Sequence, residues 1–239
     1  MKKLSLALYS EGSTDQHFLP DVIRRTSRQI LARYGQHSLN VQPIDIITFS
    51  KVGLKQDECI LQAARNAIDY HVLIVHADAD HRTNEKAFLE RFKPGYVLVQ
   101  DQENVCKHLV PIIPIQMTEA WMLVDHMALQ VAIGTEMTAR DLGLPPKAKL
   151  VENDSDPKQT LHLMLQKANA HRPRRQRHNQ ASLSTLYSLL GREINLERLQ
   201  QVPSFMQFEN DLTETLKNSA FYPDTHSERE LSHAIYVYS

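Results

Sequence analysis

YHVLIVHADADHR, residues 70–82, is the stretch on which the fold turns. Its first half is an apolar run of the kind a strand shows when it is buried on both faces of a parallel sheet. Its second half closes that run with two aspartates, Asp78 and Asp80, one alanine apart. In extended backbone, residues i and i+2 point to the same side, so the two carboxylates aim at one point beyond the strand end. At about 4 Å such charges repel by roughly 1–4 kcal/mol, depending on the local dielectric. A hard cation between them, Mg²⁺ or Mn²⁺, turns that repulsion into attraction. The plainer alternative is a solvated loop in which Asp80 caps the next helix or pairs with Arg82.

Working outward, residues 3–9 read as a first strand, 13–34 as a helix stopped by Gly35, and 40–49 as a second strand. Residues 57–69 read as a second helix and 71–76 as the third strand; 84–92 and 97–107 are helical. HLVPIIPIQ, residues 108–116, reads as a strand whose two prolines deny it ladder donors, so it belongs at a sheet edge. Residues 118–133 read as one helix. Alternation of strand and helix predicts an α/β fold with a mainly parallel sheet and right-handed crossovers. The β signal fades after Gly134, and 156–170, 182–190 and 203–216 read as helices. The expected organisation is an α/β domain over 1–134 and a helical subdomain over 135–239, with Leu144-Pro145-Pro146-Lys147 as a linker-like stretch.

The chain has 239 residues, ample for a core, and a formal charge of −1, so no global basic field announces nucleic acid. Cys59 and Cys106 are far apart and form no C-x-x-C, which argues against a disulfide framework and fits a reducing, cytoplasmic setting. The apolar run after Lys2 and Lys3 is too short for a secretory signal and ends in Glu-Gly, and no apolar run is long enough to span a membrane.

Two further strand ends carry acids. SEGSTDQ, residues 10–16, follows the first strand; Gly12 permits a tight turn, and Asp15 lies one helical turn after Glu11. Ser13 with Gln16 has capping-box spacing and Asp15 suits the helix dipole, but neither accounts for Glu11. PIQMTEAWMLVD, residues 114–125, brings Glu119 after another apolar strand, with Asp125 two turns on. Each acid has a bland explanation by itself. Three strands ending in acids at the edge where open α/β sheets bind ligands is the coincidence that matters.

A strand ending in E-G-x-T-D and another ending in D-x-D resemble a Toprim domain, the metal-binding fold of topoisomerases, primases and overcoming-lysogenization-defect nucleases. YSEGSTDQHFLPDVI, VHADAD, VPIIPIQMTEAWMLVD and SDPKQTLHLML together resemble, in order and over most of the chain, a bacterial Toprim-like family often encoded beside ABC/SMC-type ATPases and associated with phage defence. The resemblance implies that Glu11 and Asp15 bind one metal, that Asp78 and Asp80 bind or bridge to a second, and that Glu119 completes the shell. It implies catalytic roles for Glu11, Asp78 and Asp80, and for Lys158 in the D-P-K element. An ordinary exposed lysine near a helix start is the plainer alternative, although a cation there runs against the dipole. Asp15 stands where a longer glutamate is commoner, which shortens the reach of one metal contact.

The run HRPRRQRH, residues 171–178, sets Arg172, Arg174, Arg175 and Arg177 where they could track phosphates; a solvated loop is the alternative. No G-x-x-x-x-G-K-[ST] is present, so any ATPase of the system is a separate chain. His76 and His81 flank the D-x-D without the further ligands of a zinc site. The expected function is a Mg²⁺- or Mn²⁺-dependent nuclease with one or two ions, acting on DNA or RNA as an anti-phage effector beside an ABC/SMC-type ATPase. A Toprim ribonuclease acting on structured RNA such as tRNA shares every ligand. A nucleotide-sugar transferase would use D-x-D without needing Glu11 or Glu119, and a non-catalytic interaction subunit would bind metal without turnover. Homo-oligomerisation is open, and no membrane partner is expected.

Overall fold

A computed structural model describes residues 3–34, 39–79, 83–171 and 183–218. The first strand forms as β1 (Lys3–Leu4) and β2 (Leu6–Tyr9), parted at Ser5, whose amide donates to His71 Nδ1 at 3.0 Å. Helix α1 (Asp15–Arg33) follows; Gly35, its expected stop, lies outside the described residues. The single strand expected over 40–49 is instead two short pieces, β3 (Asn40–Val41) and β4 (Asp45–Ile46). Pro43 between them has no amide hydrogen to give a ladder. Helix α2 (Gln56–Asn66) leads to β5 (Val72–His76).

One helical rod comes next: α3 (Glu85–Ala87), a π-helical turn (Phe88–Phe92) and α4 (Lys93–Gln100). It ends well short of 107, and β6 (Leu109–Ile112) closes a four-stranded parallel sheet in the order β4-β2-β5-β6. The proline-bearing β6 lies at the edge, Pro111 opposite Val75. β1 pairs with β3 in a separate parallel pair.

Strand alternation separates two cores. Leu6, Leu8, Ile74 and Val110 face Phe18, Val22 and Ile23 of α1. Ala7, Tyr9, Leu73 and Val75 face Ile60 and Ala63 of α2 and Val99 of α4. Both faces are covered, which is why β2 and β5 are buried at every position.

The helix expected over 118–133 breaks into α5 (Glu119–Met122) and α6 (His126–Ile133). Asp125 causes the break. One carboxylate oxygen accepts from the amides of Met127 and Ala128, and the other from Asn195. It is a helix cap tying two segments together, not a member of the acidic site. Then come α7 (Ala139–Leu142), a 3₁₀ turn (Ala148–Asn153), α8 (Pro157–His171), α9 (Leu183–Glu193), α10 (Leu196–Leu199) and α11 (Pro203–Asn218). α9 packs on α1, and α11 on β6 and α1; Leu190, Phe205 and Leu212 join the core that holds Phe18. The contact is backbone-close, since a Cβ at Gly191 would sit 2.6 Å from the Phe18 carbonyl oxygen. Arg25 of α1 donates to the carbonyls of Gly191 and Ile194, a cationic cap on the end of α9. No helix among the described residues is long and apolar enough to cross a membrane.

On α11, burial pushes the Asp211 carboxyl up to about 6, against the hydrogen bond from Gln207. A raised folded value favours the protonated form, so its contribution to stability is present below the unfolded value of 3.8 and is lost as pH rises through about 6. Asp211→Asn is therefore expected to raise the melting temperature at neutral pH, with the gain over wild type closing as melts are taken toward pH 4. An equal gain at every pH would contradict this.

Candidate metal centre

Three parallel strands deliver their last residues to one edge. After β2, Ser10 Oγ donates to the Gly12 carbonyl at 2.8 Å, turning the chain into α1. The capping box expected from Ser13 and Gln16 does not form; Gln16 donates to Ser10 instead, and α1 begins without a side-chain cap. Asp15, the first residue of α1, is thereby buried, at 5 % exposure. At the end of β5 His76 is fully buried, and just beyond it Asp78 is part-exposed. After β6, Glu119 opens α5 at 4 % exposure.

His76 stands between the aspartates. Its Nδ1 is 3.7 Å from Asp15 Oδ2; its Nε2 is 3.3 Å from Asp78 Oδ1 and 2.9 Å from Thr118 Oγ1. One ligand atom from each of Asp15, His76 and Asp78 lies within 4.8 Å of the others. His76 Nδ1 and Asp78 Oδ1 are both buried and make no hydrogen bond among the described residues. Burial favours the neutral imidazole, but Asp78, Asp15 and Glu11 outweigh it and hold the His76 pKa above its ordinary value.

The other two acids stand beside this group. Burial pushes the Glu119 carboxyl up; the Tyr187 hydroxyl, donating at 2.8 Å, and the charge of Lys158 pull it back. Burial and Glu119 raise the Tyr187 phenol in turn. Glu11 Oε2 is 3.4 Å from Arg91 Nη1, which also donates to the Asp78 carbonyl at 2.7 Å. Arg91 thus bridges the ends of β2 and β5 from the π-helical turn, a local irregularity frequent at functional sites. Lys51 Nζ donates to the carbonyls of Ser10 and Glu11.

Of the residues read as ligands, the structure brings Asp15 and Asp78 together and sets Glu11 and Glu119 alongside. Lys158 is exposed, the second residue of α8, close enough to act on Glu119. Asp80 and the cluster Arg172, Arg174, Arg175 and Arg177 lie outside the described residues. His76, set aside in the sequence for want of partners, is the centre of the group. Its signal was a lone polar residue ending an apolar run just before the D-x-D. Arg91 and Tyr187 left no signal of that kind.

Two carboxylates and an imidazole, with a buried imidazole nitrogen and a buried carboxylate oxygen that make no hydrogen bond among the described residues, could hold a divalent cation. Gly12 guards the arrangement: a Cβ there would meet Asp15 Oδ2 at 2.6 Å. Gly12→Ala is expected to displace that carboxylate, weakening Mn²⁺ binding about 10–100-fold in calorimetry. The melting temperature should change little, since only a side-chain tip must yield.

No curated protein and no solved structure matches the chain. Residues 10–213, a span holding Glu11, Asp15, His76, Asp78 and Glu119, match the family described as Domain of unknown function (DUF4276), and the chain belongs to that family.

Proposed function

We propose that the chain is a metal-dependent nuclease of the Toprim kind, hydrolysing phosphodiester bonds of DNA or RNA. The observation that carries the reading is the group of buried Asp15 and His76 with part-exposed Asp78, two of whose buried ligand atoms make no hydrogen bond among the described residues, at the carboxyl edge of a parallel sheet. Acidic residues at the ends of β2, β5 and β6, with β2 and β5 central, support it. Asp15, His76 and Asp78 would hold the ion, with Glu11 and Glu119 next to it. A bound ion would supply an activated water and neutralise phosphate charge. The residues around it hold the substrate: Arg91 has the planar donor fork that suits a phosphate, and Lys158 offers a cation beside Glu119. In the overall reaction water adds at phosphorus, the bridging P–O bond breaks and the leaving oxygen takes a proton. A role as anti-phage effector beside a separate ABC/SMC-type ATPase belongs to the same proposal and rests on the sequence resemblance.

The test is cleavage of supercoiled plasmid, linear DNA and total RNA with Mn²⁺ or Mg²⁺, with and without the neighbouring ATPase. Metal-dependent cutting by the wild type, lost in Asp78→Ala and Glu11→Ala, is the expected result. Cutting of RNA alone moves the chain to the ribonuclease reading. Metal binding with no cutting under any condition overturns the enzyme and leaves a metal-binding subunit.

A further inference from the structure

We infer that the cleft formed by the end of α5, the start of α6, α7, the 3₁₀ turn and α10 binds the phosphate backbone of a nucleic-acid strand and feeds it toward the acidic group. This rests on the nuclease reading of that group.

The cleft encloses about 1330 Å³, and its lining includes His126, Arg140, Lys147, Lys149 and Arg198, with Glu197 the one acidic side chain there among the described residues. Acids and bases balance over the whole chain, 28 against 27, so this is a local segregation of positive charge. Arg198 is held by Asp125 at 3.7 Å and touches His126 at 3.4 Å. Arg140, Lys147 and Lys149 are exposed, and their side chains have no hydrogen bond or ion pair among the described residues. Cations of one sign around a concave surface focus the field there, and binding phosphates to them releases condensed counterions.

Position and lining both favour nucleic acid. The wall begins at Leu123, where α5 ends, and Glu119 opens the same helix. Four residues at about 1.5 Å each put that wall about 6 Å along the helix axis from Glu119, which stands beside the acidic group. A cluster of carboxylates repels a polyanion at long range, so a substrate strand needs a cationic surface close by. Among the described residues no Phe, Tyr or Trp lines the cleft, which points to backbone recognition without sequence preference over base stacking.

The experiment is fluorescence anisotropy in EDTA with labelled DNA and RNA strands of about 20 nucleotides, titrated across salt. The full chain is compared with Arg140→Gln/Lys147→Gln/Lys149→Gln, and with Lys149→Glu alone in case the triple variant misfolds. Affinity at about 0.1 M salt should fall at least 30-fold in the triple variant, and the log–log salt slope should drop by about 2–3; Lys149→Glu should lower the slope by about 1. Unchanged affinity and slope overturn the proposal, as does a wild type that binds neither strand. A triple variant that loses only polyglutamate, its oligonucleotide affinity intact, overturns it in favour of an acidic protein partner. A parallel Mn²⁺ titration separates this proposal from the one it rests on. Oligonucleotide binding lost in the variants of a chain that never binds Mn²⁺ keeps the cleft and removes the metal centre. Mn²⁺ binding with unchanged oligonucleotide affinity does the reverse.

Discussion

Asp78→Asn and Asp15→Asn are each expected to weaken Mn²⁺ binding by at least about 100-fold and to lower phosphodiester turnover by about 10²–10³-fold. Asparagine keeps the shape and removes the charge, so the comparison isolates the ligand from the packing. His76→Ala should weaken Mn²⁺ to a similar degree. That third result matters most, because a purely carboxylate site would be indifferent to the imidazole, whereas here it lies 3.7 and 3.3 Å from the two aspartate oxygens. Calorimetry with Mn²⁺ reads the affinity, plasmid relaxation reads the turnover, and a melt in EDTA checks that the fold survives. Full Mn²⁺ affinity in both aspartate variants would dismiss the site.

Trp121→Ala should be the most damaging single change to the fold. The indole is fully buried, meets Phe205 edge-on at 5.2 Å and lies 6.4 Å from Phe208. Its Nε1 donates to Ser204 Oγ at 2.8 Å, and Ser204 donates in turn to the buried carboxyl of Glu152. Emptying that volume costs about 3–5 kcal/mol, which for a chain of this size lowers the melting temperature by about 6–20 °C. Trp121→Phe keeps most of the ring and leaves Ser204 without its donor, at about 1–2 kcal/mol. Urea titration of the three proteins checks the ranking; equal stability of the alanine and phenylalanine variants would refute it.

The strand ends were legible because burial on both faces demands an unbroken apolar run, and any charge that stops one is conspicuous. That gave β2, β5 and β6, and with them Glu11, Asp15, Asp78 and Glu119. Two breaks could have been read. Pro43 lacks a donor, and Asp125 stands just where a cap would start α6. What no local pattern carries is contact across the chain. Tyr187 reaches Glu119 from 68 residues away, and Arg91 reaches Glu11 from 80. Both depend on how helices seat against the sheet. The first also means that the helical segment after residue 134, which brings Tyr187 and Lys158 to Glu119, helps to build a site whose acids and histidine all precede it.

The rod from Glu85 to Gln100 has two fixed faces. Ala87 and Phe92 sit in the core, and Gly95 lies so close to α2 that a Cβ would meet Ile60 at 2.7 Å. Each residue of an α-helix advances its face by about 100°. The π-helical turn absorbs one extra residue between the two anchors, so Arg91 meets Glu11 through a matter of phase. Shortening residues 88–92 by one would turn one half of the rod against the other and swing the guanidinium off the acidic group, with every charged residue still present. Chain length in this one turn, more than its composition, is the adjustment by which the charge balance of the acidic group can be retuned.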